Sequence, residues 1–124
     1  MDPVHFVIAA TDSVWIRDYG PRFIDDSGRR AIVDHEYNRP RPNDDLFPIG
    51  YGAQINETVY EIPLIHGGGN FHLFGTRDAY MTRLIVNENP GLSEQQIIDD
   101  YADYQGLDVT LTDPPLYGLE AGQS

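Results

Sequence analysis

The sequence predicts an α+β (mixed α/β) fold. Three observations carry this. Short apolar runs bounded by Gly, Pro, Asn and Asp recur along the chain, as strands joined by turns do. One capped, amphipathic helix stands late in the sequence. A Pro-, Asn- and Asp-rich stretch separates the first strands from the later ones. The 124 residues amount to one domain, 1–124.

Val4 to Ala10 is a continuous apolar run broken only by His5, and it reads as a buried strand. VWIRDYGPRF, Val14 to Phe23, follows and reaches a turn at Gly20 and Pro21. Arg22-Phe23-Ile24 and Arg30 to His35 flank the turn residues Asp25 to Gly28 and read as a hairpin. Tyr37 to Pro48 reads largely as loop, and a helix begun at Asp44 would be kept short by Pro48 and Gly50. Val59 to Ile65 reads as a strand, interrupted by Gly67-Gly68-Gly69-Asn70. Phe71 to Phe74 and Ala79 to Val86 read as a second hairpin. Beyond Pro90, Ser93 and Gln96 form a capping box, and Ile97, Ile98, Tyr101 and Ala102 build one apolar helix face that Gly106 closes. Val109 to Leu111 is a last strand, and Asp113 to Ser124 reads as the start of a connection. There is no sequence repeat, and the strands are expected to pair largely through local turns.

Twenty acidic residues against eight basic ones leave a net charge of −12 and a pI near 4.4. Such a surface repels nucleic acid and anionic membranes and draws cations, or it serves solubility alone. No nucleic-acid or membrane partner is expected. All eight basic residues are Arg, the residue suited to stacking and to two-pronged grips on carboxylates. With no cysteine there is no disulfide framework, thiolate metal site or thiol nucleophile in this chain. No stretch approaches the roughly 20 apolar residues of a membrane span. The opening MDPVHFVIAA has no basic region ahead of its apolar run, so it does not read as a signal peptide and a cytoplasmic location is expected. Asn56-Glu57-Thr58 matches a glycosylation acceptor by chance on this reading.

The chemistry concentrates in three stretches. Trp15 and Asp18 are the minimum set for gripping a flat cation: a carboxylate takes two guanidinium donors and an indole covers the planar face. The plainer alternative is packing plus a turn-capping Asp. Arg17 would point away from this pair on an extended strand. Arg39 and Arg41 alternate with Pro40 and Pro42 on a stiffened strap that can hold a carboxylate, or that simply pairs with Asp44 and Asp45. In HGGGNFH, His66 to His72, three glycines permit close backbone approach or positive φ. The phosphate-loop patterns are absent, and two His six residues apart could flank a metal only if the glycines fold back, so no metal and no cofactor is expected.

Together, VWIRDYGP, YNRPRPNDD and the GGN after a strand resemble the bacterial peptidylarginine deiminases and their relatives the agmatine deiminases. NENPGLSEQQIIDDYADYQGL is similar to that family's helix segment, so the resemblance covers nearly the whole chain. It implies the pentein fold, an α/β-propeller of five ββαβ-type modules, with about two of them present here. It implies hydrolysis of a guanidinium to a ureido group and ammonia, by a Cys nucleophile, a His acid and base, and two acids that hold the nitrogens. On this resemblance Asp18 is one of those acids and Trp15 packs on the substrate. Arg39 and Arg41 match the strap that meets the carboxylate of a C-terminal arginine, and Asn70 has a structural role. The expected partner is an arginine-containing peptide or an agmatine-like guanidine.

The departures are specific. No His follows His72, no His-x-Asp occurs, and no Cys is present. The chain is therefore expected to be a truncated front part of a deiminase, inactive alone, or a stand-alone guanidinium-binding or interaction module. Uncovered module faces should make it a homo-oligomer or only marginally stable.

Overall fold

In the computed structural model, which describes residues 3–113, the pattern strand, strand, helix, strand occurs twice. A single helical turn, α1 (Ile16–Tyr19), leads into the first unit of β1 (Arg22–Asp26), β2 (Arg29–Tyr37), α2 (Pro42–Ile55) and β3 (Thr58–His66). A 3₁₀ turn at Gly68–Asn70 then leads into β4 (His72–Phe74), β5 (Asp78–Thr82), α3 (Leu84–Glu88), α4 (Glu94–Gln105) and β6 (Asp108–Thr112). Each unit builds a three-stranded sheet in chain order. Its first two strands form an antiparallel hairpin and its third lies parallel to the second.

The mixed α/β expectation thus holds, with the pairing corrected: local turns make only the β1–β2 and β4–β5 pairs. A parallel neighbour cannot be reached by a tight turn and needs a crossover, which α2 and α4 supply. The repeat lies in hydrogen-bond topology, which two unrelated sequences can share, and so leaves no trace as a sequence repeat.

The hairpin turn between β1 and β2 is held by Asp25 Oδ1, which accepts from the Gly28 amide at 2.7 Å while Gly28 sits at φ 85°. The helix read beyond Pro90 is α4. Ser93 Oγ accepts from the Gln96 amide at 3.1 Å and Gln96 Oε1 accepts from the Ser93 amide at 2.8 Å. Ile97 and Tyr101 are its buried face, Ile98 is half-buried, and Ala102 is exposed rather than part of that face. One core joins the two sheets: Val33, Ile62 and Leu64 meet Phe71, Met81 and Val109, with Ile97 and Tyr101 of α4 between.

Four expectations are corrected. Val4 to Ala10 is not a buried strand; Phe6 is 90% and Ile8 88% exposed. A strand exists only through a ladder partner, and among the described residues this run has none. The stretch Ile16–Tyr19 is helical, so Arg17 does not sit on an extended strand. Residues 84–86, read as the end of a strand, begin α3. Most of the Tyr37 to Pro48 loop is helix: α2 starts at Pro42, where a missing N–H costs nothing, and runs through Pro48 to Asn56 in the left-handed conformation.

Packing outweighs the proline. Phe47 and Tyr51 stack at 5.8 Å, and Phe47 meets the Tyr19 ring edge-on at 5.9 Å. Gly52 lets α2 approach β3 so closely that a Cβ there would lie 2.5 Å from Val59 Cγ2. Among the described residues no helix is long and apolar enough to cross a membrane. Apart from Asp113, the connection read at Asp113 to Ser124 lies outside the described residues.

Candidate functional site

The segment that carries Trp15 and Asp18 is pinned by a reciprocal pair of carboxylates. Asp44 is fully buried. It accepts from the Asp12 and Ser13 amides at 2.6 and 3.2 Å and from Ser13 Oγ at 2.6 Å. Burial alone would raise its pKa; the Ser13 hydroxyl, the two amides and the Arg41 charge outweigh that and hold it below the usual carboxylate value. In return Asp12 Oδ2 accepts from the Asn43 and Asp44 amides at 2.8 and 3.3 Å, capping α2 from outside the helix. Tyr19 OH donates to Ser13 O at 2.8 Å, and its ring lies 5.6 Å from that of Tyr37.

Between these anchors the chain makes one helical turn. The Asp18 amide donates to Trp15 O at 2.8 Å and the Gly20 amide to Ile16 O at 2.7 Å. Asp18 lies within this turn, and Trp15 stands just ahead of it as the N-cap, with non-helical backbone (φ −80°, ψ 52°). The indole is 57% exposed. The glycine run packs against this turn. A Cβ on Gly68 would lie 2.0 Å from Arg17 O, and one on Gly69 would lie 2.9 Å from Asp18 Oδ1. None of Gly67, Gly68 or Gly69 has positive φ, so close approach is what demands them. That approach brings the Gly69 amide to Asp18 Oδ1 at 2.9 Å. Among the described residues Asp18 Oδ2 takes no hydrogen bond. Asn70 locks the run to β5: its Oδ1 accepts from the Thr82 amide at 2.7 Å and its Nδ2 donates to Thr82 O at 3.1 Å.

Beneath the turn lies a buried layer that sequence reading missed. His35 Nε2 lies 3.1 Å from Asp18 O, and since a carbonyl only accepts, the ring donates. Burial, reinforced by the Arg22 charge, pushes His35 down to about 4. His66, fully buried 5.3 Å away, is shifted the same way by burial, then by Arg22 and His35. Both rings are thus neutral at physiological pH. The Arg22 guanidinium lies 3.5 Å over the Phe71 ring, and Arg17 Nη2 donates to Phe71 O at 2.8 Å. Burial pushes the Tyr101 hydroxyl up to about 12, against the pull of Arg22. A His inside an apolar run was the only sequence signal for this layer.

The strap is only partly as read. Arg41 is half-buried, and its Nη1 donates to Tyr37 OH at 3.1 Å. Through Tyr37 and Tyr19 it joins the turn that bears Asp18. Arg39 is exposed, and no contact among the described residues links it to Asp18. Neither Arg makes an ion pair with Asp44 or Asp45 among the described residues; Asp45 Oδ1 instead accepts from the Tyr37 amide at 2.8 Å. The arrangement offers a carboxylate oxygen that takes no hydrogen bond among the described residues, on a segment held rigid from behind, with an exposed indole three residues earlier in the chain. Chemically that suits a planar cation.

The model for the Porphyromonas-type peptidyl-arginine deiminase family matches residues 1–118. The solved agmatine deiminase of Enterococcus faecalis aligns with a TM-score of 0.73 at 26% identity, over 83% of this chain and 33% of its own. A C. jejuni agmatine deiminase with substrate bound shares the fold, with a TM-score of 0.76 at 21% identity over 88% of this chain and 36% of its own. The "Putative agmatine deiminase" of Photobacterium profundum is 29% identical over 104 residues, 73% of this chain and 29% of its own length. The chain spans about a third of the length of these relatives.

Proposed function

We propose that this chain, which belongs to the Porphyromonas-type peptidyl-arginine deiminase family, supplies the guanidinium-holding part of a deiminase site. Its two ββαβ units are of the pentein kind, and as a domain we take 1–124 to be one partial pentein. Asp18 Oδ2 receives two N–H donors of the guanidinium edge, while the Gly69 amide keeps Oδ1 fixed. Trp15 lies along the flat face and the aliphatic stem, excluding water from one side. The reaction of the whole enzyme would replace one guanidinium nitrogen by a water oxygen, giving a ureido group and ammonia. This chain holds no cysteine, so the thiolate attack implied by the resemblance is not made by its own residues, and it should bind without turnover. The substrate we propose is agmatine or an arginine of a peptide, which share this head group.

The observation that carries the reading is the half-used Asp18 carboxylate, with the exposed Trp15 indole three residues before it in the chain. Trp15 is the only tryptophan, so intrinsic fluorescence reports on the site. Agmatine should change Trp15 emission in a saturable way, and 1,4-diaminobutane, which lacks the guanidinium, should not. The same response to both would remove the guanidinium from the proposal. The exposed Arg39 favours one refinement: a free carboxylate next to the guanidinium, as at a C-terminal arginine, has a cation within the strap to meet.

A further inference from the structure

The turn that carries Asp18 is too short to hold itself. A single helical turn makes too few bonds to offset the ordering of its own backbone, so its geometry is imposed from outside. The carbonyls at its end also lack helical partners. Asp18 O is the clearest case. Three residues further on stands Pro21, which has no N–H to give. The donor that reaches Asp18 O comes instead from β2: it is His35 Nε2, at 3.1 Å and 17 residues away in sequence. The His35 ring is shielded from solvent, the residue being only 5% exposed. Asp18 is thus gripped twice. Its main chain is held by β2, and its Oδ1 by the Gly69 amide at 2.9 Å.

We propose that His35 is a positioning residue: its Nε2–H sets the Asp18 main chain so that the carboxylate meets the Gly69 amide with one oxygen and the ligand with the other. This rests on the reading of Asp18 as the holder of a guanidinium. His35 itself touches no ligand in that reading; it acts through Asp18 alone.

The surroundings suit the ring to this task. A neutral imidazole has a single N–H, and Asp18 O requires it on Nε2. Burial, then the Arg22 charge from β1, keeps the ring neutral against the pull of the Asp18 carbonyl. His66 of β3 meets it edge-on with ring centroids 5.3 Å apart, and is held neutral in the same way. Asp34, next to His35 in the chain, is pushed up to about 7 by burial and then by the charges of Asp45 and Glu61, so below that pH it brings little charge to the ring.

The test is NMR of the full chain labelled with heavy nitrogen, joined to the agmatine titration of Trp15 emission. In the unaltered chain the His35 ring should carry its proton on Nε2. His35→Leu keeps apolar bulk and removes the donor; it should move the Gly69 amide signal and weaken agmatine binding about fivefold or more. His35→Gln, whose side-chain amide reaches about as far as Nε2, should return both toward the unaltered values. Ile97→Val, a core lesion on α4, should lower the thermal midpoint and leave the Gly69 amide signal in place, which separates positioning from loss of stability. A proton on Nδ1 overturns the proposal, and that measurement needs no variant to fold. So does a Gly69 signal unmoved in His35→Leu, or a His35→Gln no better than His35→Leu. An unaltered chain that gives no agmatine response sinks the guanidinium reading instead, and the tautomer and the Gly69 signal then decide whether His35 positions Asp18.

Discussion

The Gly69 amide donates to Asp18 Oδ1 at 2.9 Å across 51 residues of sequence. This one bond joins two motifs that look unrelated along the chain, and it fixes which oxygen of Asp18 remains for a ligand. It forms only because Gly68 passes under the Arg17 carbonyl at a distance no side chain tolerates.

Gly68→Ala should therefore damage the site from outside it. Its Cβ would meet backbone, which cannot swing aside, and the cost should be about 1–3 kcal/mol of stability with loss of the agmatine response. Gly50→Ala is the control. Gly50 lies on the exposed face of α2 with nothing within 4 Å of a new Cβ, so the change should stabilise by about 0.5–1 kcal/mol. Thermal unfolding of both variants checks this, and a harmless Gly68→Ala would mean the glycine run is not what holds Asp18.

Arg39→Ala should weaken a peptide ending in arginine by up to about fivefold, the contribution of an exposed ion pair, and leave agmatine unaffected. Arg41→Ala should also cost stability, because its guanidinium bonds Tyr37 OH. Competition titrations with the two ligands separate these effects. Equal loss for both ligands in Arg39→Ala would remove the carboxylate from the reading.

The buried histidines and Asp34 oppose each other as the pH changes. His35 has a folded pKa near 4, below its unfolded value near 6.5, and His66 is shifted in the same direction. The unfolded chain takes up these protons first, so their contribution is present above about pH 6.5 and is lost below it, for His35 as the pH falls toward 4. Asp34 has a folded pKa near 7, above its unfolded value. Its contribution is present below about pH 4 and is lost as the pH rises toward 7. Asp34→Asn should then stabilise by about 1–3 kcal/mol at pH 8, with the gain vanishing by about pH 4. Urea unfolding across that range would show it; a gain independent of pH would contradict the burial of an ionised Asp34.

These groups also mark the limit of what the sequence disclosed. The hairpins were legible because alternation and turn residues are local, and α4 because Ser93, Gln96 and Gly106 write both of its ends. Trp15 and Asp18 were legible as residue types, and the helical turn that carries Asp18 was not, since one turn leaves no periodicity. Helix α2 was hidden because Pro48 and Gly50 argue against it locally. What sustains it arrives from elsewhere: Asp12 caps it and Tyr19 packs on Phe47. Val4 to Ala10 misled in the opposite direction, since an apolar run states a preference for burial without naming a partner. His35, His66 and Arg22 converge only when β1, β2 and β3 are side by side.

Several large side chains remain on the surface: Val4, Phe6 and Ile8 in the opening segment, and Leu73, Phe74 and Tyr80 on the second sheet. The isolated chain should self-associate through these faces. Light scattering over a concentration series checks this, and a monodisperse monomer that resists unfolding would count against it.

The most direct measurement is the affinity for agmatine of the unaltered chain and of Asp18→Asn, read by Trp15 emission. Asparagine keeps the oxygen that the Gly69 amide needs and removes the charge. Binding should be about tenfold or more weaker in Asp18→Asn, with the thermal midpoint little changed. Equal affinity in the two proteins would show that Asp18 does not hold the guanidinium, and would leave its bond to Gly69 as its whole role.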